Sequence, residues 1–180
     1  MSLRVLNEEF EPSQDAHVFS VLCFVPSLGL SCFGCCGHHF KDKQEMHAFF
    51  DENKRTLVHY KKQGKSEKEF MEREKLLGTC GGCHSLIREK DTQGRDQYAC
   101  AVHPLRIGGE DIRVKYCDHD YLCKTAAHVQ KMTAEEKSLF YEFLKEQNYN
   151  SYEYSMINAQ ETVLLEAYRK WRQQHIKINA

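Results

Sequence analysis

Apolar residues recur at helical intervals in several separate stretches of this chain and run together in one. Between 43 and 62, Met46, Phe49, Phe50, Leu57 and Tyr60 fall on one face. Asp42, three residues before Glu45, has the spacing of a helix N-terminal cap, so the pattern predicts a helix from Lys43 to about Lys62, ended by Gly64. Ser66 and Glu69 repeat that spacing and predict a shorter helix through Leu77, with Phe70, Leu76 and Leu77 inward. Thr133 and Glu136 predict a third ending near Glu146, with Leu139, Phe140, Phe143 and Leu144 on its buried side. A final helix is expected from Asn158 and Glu161, carrying Val163, Leu164, Tyr168 and Trp171 at three- and four-residue steps. That aromatic stripe reads as core rather than as a cofactor box.

Elsewhere the periodicity shortens. Residues 18 to 25 are too continuously apolar for alternation and predict a buried strand. Residues 85 to 102 read as two short strands around the turn "DTQGR", "RIGGED" (106 to 111) as a hairpin, and "DIRVKY" as another short strand. The Asn-, Ser- and Tyr-rich residues 148 to 155 look like a connection. The expected class is α+β: a small irregular cysteine-rich core with short strands, packed against four or five helices. Residues 1–180 form a single domain in this reading, with a cysteine-cluster region at 30–123 and a C-terminal helical pair at 133–175 packed on it.

Composition narrows the function classes. With 41% apolar residues, ten Phe and nine Tyr, the chain can bury a core and is not expected to be disordered. Its 25 basic and 26 acidic residues leave a formal charge of −1, which argues against a strongly basic nucleic-acid binder. The apolar run "HVFSVLCFVPSLGL" (17 to 30) is short of the roughly 20 residues a spanning helix needs, and Pro26 and Gly29 interrupt it. Glu8, Glu9, Glu11 and Asp15 precede it against only Arg4, the wrong charge for an export signal. The expectation is a cytoplasmic protein without a membrane partner, and in a reducing compartment clustered cysteines hold metal more readily than they pair.

There are nine cysteines and ten histidines. Cys23 lies within the apolar run and reads as a small buried hydrophobe. The others fall into four groups: Cys32, Cys35 and Cys36; Cys80 and Cys83; Cys100; Cys117 and Cys123. The first two groups each contain a C-x-x-C pair among glycines, a spacing that lets two thiolates meet one ion in a tight turn. Two such pairs with further cysteines point to a metal or cluster site.

The order "CFGCC", "TCGGC", "YACAVHP" and "YC" resembles the bacterial YkgJ-like cysteine-cluster family, described as zinc- or iron-chelating. The resemblance covers roughly residues 30 to 120. It implies an early ligand group at Cys32, Cys35 and Cys36, a glycine-flanked one at Cys80, a proline-linked one at Cys100 with Pro104, and a last one at Cys117. His103 stands where the family has an arginine before its proline. Part of the family carries an iron-sulfur cluster, so the resemblance leaves both cofactors open.

The favoured ligand set is Cys32, Cys35, Cys36, Cys80, Cys83, Cys100 and Cys117, with Cys123 in reserve. His38, His39, His84, His103 and His119 flank the groups as substitutes or as hydrogen-bonding neighbours. Zinc in a closed shell is expected to be structural; an iron-sulfur cluster is the alternative. "CGGCH" (80 to 84) also matches a covalent-haem motif, but it leaves the 32 to 36 group without a role. A thioredoxin-like thiol pair would sit between a strand and a helix, whereas Cys80 follows a helix. A zinc-dependent nucleic-acid binder would cluster basic residues by its knuckles, and here Arg88, Lys90 and Arg95 are offset by Glu89, Asp91 and Asp96. No H-E-x-x-H, phosphate loop, dinucleotide glycine motif or nucleophile elbow occurs, and Asp118, His119 and Asp120 read as a solvated turn. A non-enzymatic role is favoured, with a protein partner of unknown kind.

Overall fold

The computed structural model describes residues 24–73, 78–108, 111–117, 121 and 123–178. The expected strand at 18 to 25 lies mostly outside these residues; its end, Phe24–Val25, is strand β1. A one-turn 3-10 segment over Pro26–Leu28 returns the chain into β2, Leu30–Ser31, antiparallel to β1.

Helix α1 spans Lys43–Lys62, as the periodicity predicts, with the Asp42 carboxylate accepting from the amides of Gln44 and Glu45. Its buried side chains are Met46, Phe50, Asn53 and Leu57, and Gly64 follows at φ +72°. Helix α2 begins with the full Ser66–Glu69 capping box but stops at Glu72, shorter than its apolar pattern implies. The Arg73 guanidinium lies over the Phe70 ring and donates to the Phe70 and His84 carbonyls and to Asn53. Arg73 thereby ties the end of α2 to α1 and to the chain beyond. Leu76 and Leu77 lie outside the described residues.

Strands β3 (Leu86–Lys90) and β4 (Asp96–Cys100) form the expected hairpin, in register from Leu86↔Cys100 to Lys90↔Asp96. Beyond it two expectations are corrected. Pro104–Ile107 is the short helix α3, not an arm of a hairpin, and Ile112–Lys115 is a 3-10 turn, not a strand. The cause of the second is local: the Asp111 carboxylate accepts from the Arg113 amide, a side-chain cap that starts a turn and competes with strand geometry.

Helix α4 (Lys124–Gln130) was not signalled by the pattern. Helix α5 (Ala134–Gln147) carries its predicted capping box and buries Phe140, Phe143 and Leu144. The stretch expected to be a connection is instead helix α6, Ser151–Asn158, opened by a capping box between Asn150 and Glu153. The final helix, α7 (Val163–Ile178), therefore starts later than expected, because Asn158 ends α6 and Glu161 sits at φ +54°. Three helices, not a pair, make up the C-terminal region.

Three apolar clusters organise the molecule. The largest joins Val25 and Leu30 to α4, α5, α6 and α7. The second surrounds Phe33 with Met46, Phe50, Leu86 and Tyr98, and Phe33 is fully buried against the Phe40, Phe50 and Tyr98 rings at 4.8–5.4 Å. The third lies between α1, α2 and the hairpin. Within Leu30 to Phe33, Leu30 and Cys32 pack on the helical cluster, whereas Phe33 enters the second. Ser31 accepts from the Tyr98 amide of the hairpin. This two-residue alternation makes the segment a partition between two cores. The serines of α6 fasten it: Ser151 Oγ accepts from the Ser31 amide at 3.0 Å and Ser155 Oγ from the Phe33 amide at 3.1 Å. Among the described residues, no helix is long and apolar enough to cross a membrane.

Candidate functional site

The early cysteine loop and the glycine turn are joined through their backbones. Gly37 and Gly82 form an antiparallel bridge. The His38 amide donates to the Gly81 carbonyl at 3.1 Å, the Cys83 amide to Cys36 at 2.9 Å, and the Lys41 amide to Cys80 at 2.9 Å. Such close approach requires glycine. A β-carbon on Gly81, at φ +83°, would stand 2.2 Å from the His38 carbonyl oxygen, and one on Gly37 would stand 2.1 Å from the Gly81 oxygen. Next, the Leu86 amide donates to Cys83 and the Ala101 amide to Ser85, which draws the end of β4, and with it Cys100, to the same place.

The thiols brought together there are not quite the set expected. Cys36 is hydrogen-bonded to Cys35 and lies within the electrostatic reach of Cys83 and Cys100. Cys100 in turn is within reach of Cys83 and Cys117. Cys32 neighbours Cys35 and Cys123, so the reserve cysteine sits among the others. Cys80 stands apart. It is 3% exposed, packed in the second apolar cluster, and the charge that acts on it is that of Glu45 rather than another thiol. Cys23, Asp118, His119 and Asp120 lie outside the described residues.

Amide hydrogens point at most of these sulfurs. Gly34 N–H donates to Cys32 Sγ at 3.3 Å, Ser85 N–H to Cys83 at 3.4 Å and Ala126 N–H to Cys123 at 3.4 Å. Gly82 and Val102 supply equivalent amides to Cys80 and Cys100. These bonds favour the thiolate, but burial opposes them and wins. Burial pushes Cys32 and Cys100 up to about 12, and raises Cys80 and Cys123 as well. The hydrogen bond with Cys35, followed by burial, raises Cys36. Without a cation Cys32, Cys36, Cys80, Cys100 and Cys123 hold their protons at neutral pH, and binding an ion exchanges a ligating thiol's proton for the metal.

Arg113 is a further site residue, and no motif signals it. Its guanidinium is held by both oxygens of Asp111 at 2.6 and 2.8 Å, and it lies within reach of Cys100 and Cys117. A fixed positive charge there offsets part of the negative charge of gathered thiolates. It also acts, after burial, to bring His103 down to about 4, so that ring is neutral at physiological pH. His38 and His39 are exposed, with His39 at φ +52°, and the His84 ring stands edge-on to Phe49.

By donor chemistry the residues fit a thiophilic ion: sulfurs from separate segments, amide hydrogen bonds to them, and an apolar surround. As placed, no three Cys, His, Asp or Glu side chains among the described residues converge as a ready cage. Drawing the neighbouring sulfurs onto an ion calls for rotation between side-chain rotamers. A shallow recess of about 370 Å³ on α1, lined by Lys54, Arg55, Val58, His59 and Lys62, contains none of the cysteines. Comparison with known proteins yields no match to any family model, any curated protein or any solved structure.

Proposed function

We propose that this is a cytoplasmic metal-binding protein that holds zinc at a mainly structural, cysteine-rich site. The observation that carries the reading is the assembly of thiols from four separated segments around the backbone pairing of residues 36–41 with 80–83. An ion shared by such segments contributes its binding energy to the fold, because the unfolded chain does not preform the site. A sulfur-rich shell also quenches the charge that a Lewis-acid catalyst needs and leaves no place for an activated water, which favours a non-enzymatic role.

The second reading is an iron-sulfur protein in electron transfer or redox sensing. Amide hydrogen bonds to the sulfurs favour it, since such bonds tune cluster potentials. Covalent haem at Cys80, Cys83 and His84 fits less well: the Cys80 thiol is buried beneath Gly82 and Phe50, and His84 is packed on Phe49. Nucleic-acid binding is not favoured either. Arg88, Arg106 and Arg113 are paired with Asp51, Glu89 and Asp111.

The test is elemental analysis and an absorption spectrum of protein purified without oxygen. Colourless protein containing zinc is the expected result. Brown protein with acid-labile sulfide would move the assignment to the cluster, and protein with neither metal would overturn both.

A further inference from the structure

We propose that Cys36 and Cys83 are a site of oxidative modification: hydrogen peroxide joins them in a reversible disulfide that locks the early loop to the glycine turn. This goes beyond the metal-binding reading, and the pair does not depend on an ion.

The backbone defines the pair. Gly37 and Gly82 are bridged antiparallel, and the flanking bonds run from the His38 amide to the Gly81 carbonyl and from the Cys83 amide to the Cys36 carbonyl. In that register Cys36 stands directly across from Cys83. Residues opposed in this way stand about 5.5 Å apart at Cα, within the roughly 4.4–6.8 Å that a disulfide spans. Their side chains leave the pair on the same side, and both pack against the Phe33 cluster. The Cys36 amide turns back to the Phe33 carbonyl at 2.7 Å. The pair therefore ends the ladder, where the backbone has freedom to adjust to a new bond.

Other cysteines are less well placed to pair with these two. The same register sets His39 across from Cys80, and the Cys80 thiol is buried in the core beside Phe50. Cys32 packs on the helical cluster, and Cys100, which stands across from Leu86, on the third cluster. Cys35 is hydrogen-bonded to Cys36. A bond between neighbours in sequence, however, closes an eight-membered ring that strains the planar peptide inside it. Cys36 and Cys83 are both half-buried, open to a small neutral oxidant.

Hydrogen peroxide supplies the oxidising equivalents. The sulfur of one thiol attacks the peroxide, the O–O bond breaks, and a sulfenic acid and one water result. The second thiol then attacks that sulfur: the S–S bond forms, the S–O bond breaks, and the hydroxyl leaves with the thiol proton as a second water. Two thiols are oxidised and one peroxide is reduced. The new bond encloses α1 and α2 in a covalent loop and withdraws two sulfurs from any ion held there.

The experiment treats the reduced, metal-free full-length chain with one equivalent of hydrogen peroxide, alkylates the remaining thiols and maps disulfides by fragmenting the linked peptides. The expected main product is the Cys36–Cys83 link, reopened by dithiothreitol. Cys80→Ser should form it in unchanged yield, whereas Cys36→Ser and Cys83→Ser should each lose most of the disulfide. Hydrogen exchange at 33–41 and 78–83 should slow on oxidation and recover on reduction. A main product that links any other pair, or sulfinic acid without a disulfide, would overturn the proposal. Mapping of the unaltered chain decides the matter if a variant does not fold. Either outcome leaves the metal-binding reading standing, since elemental analysis tests that separately.

Discussion

His47 has both ring nitrogens committed: Arg88 donates to Nδ1 at 2.7 Å, which leaves the Nε2 proton facing the Tyr98 hydroxyl at 2.6 Å. Burial first, then the charges of Arg88 and Lys43, lower its pKa, while Asp96 and Asp51 pull the other way and lose. The unfolded chain, with an ordinary histidine, therefore takes up the proton before the folded one does. Stability contributed by neutral His47 is complete above about pH 6.5 and declines as pH falls through the folded value. An NMR titration should place His47 below the ordinary range, and Arg88→Gln should move it upward; titration above that range would contradict the arrangement. The same scale shows where sequence reasoning stops. Cys80 and Cys83 have equal standing in a C-x-x-C pair, yet Cys83 joins the other thiols and Cys80 turns into the core. Spacing says which cysteines can approach; only side-chain direction says which do. Cys123 belongs to no motif and is placed as the cap of a helix the pattern did not reveal.

At the scale of elements, the glycine turn is the joint between the two C-x-x-C loops. Gly81→Ala should cost about 1–3 kcal/mol in urea denaturation, because it adds both an unfavourable φ and a collision with the His38 carbonyl. Gly94→Ala is the control. It has a similar φ of +78° but open space around it, so its loss should be about 1 kcal/mol. Equal losses would show that the close approach of the loops contributes nothing. Helix starts were the most legible feature of the chain, since a capping residue and its partner are local and their geometry is short-range. Asp42, Ser66 with Glu69, and Thr133 with Glu136 all stand where expected. The same signal at Asn150 and Glu153 was hidden by polar composition. Ser151 and Ser155 fall in the stretch that reads as a connection, and they are buried in a helix where their hydroxyls satisfy the backbone at 29–33. Tertiary hydrogen bonds overrode composition there.

For the molecule as a whole, the α+β class was legible from the change of period along the chain. The division into three cores was not, because it depends on contacts between residues more than a hundred positions apart. That division predicts an uneven response to metal removal. Chelation of the reduced protein should speed hydrogen exchange at 33–41 and 78–86, where the loops are held by few backbone bonds. Helices α5 and α7 should keep their protection, because Phe140, Phe143, Tyr168 and Trp171 pack on one another without help from sulfur. Exchange at 33–41 and 78–86 that stays unchanged in metal-free protein would rule out a structural role for the ion.

The serine fastening of the early loop also bears on the order of events during synthesis. The amides of Ser31 and Phe33 find their partners on Ser151 and Ser155, some 120 residues later. A nascent chain that has exposed every cysteine still lacks α6. Until that helix leaves the ribosome, the early loop has one side unsupported and its thiols are open to oxidants and stray ions. Long-range closure of this kind is slow compared with local helix formation. The final third of the chain is thus a folding clock for the first, and the time it sets is the interval in which a chaperone or metal donor would have to act.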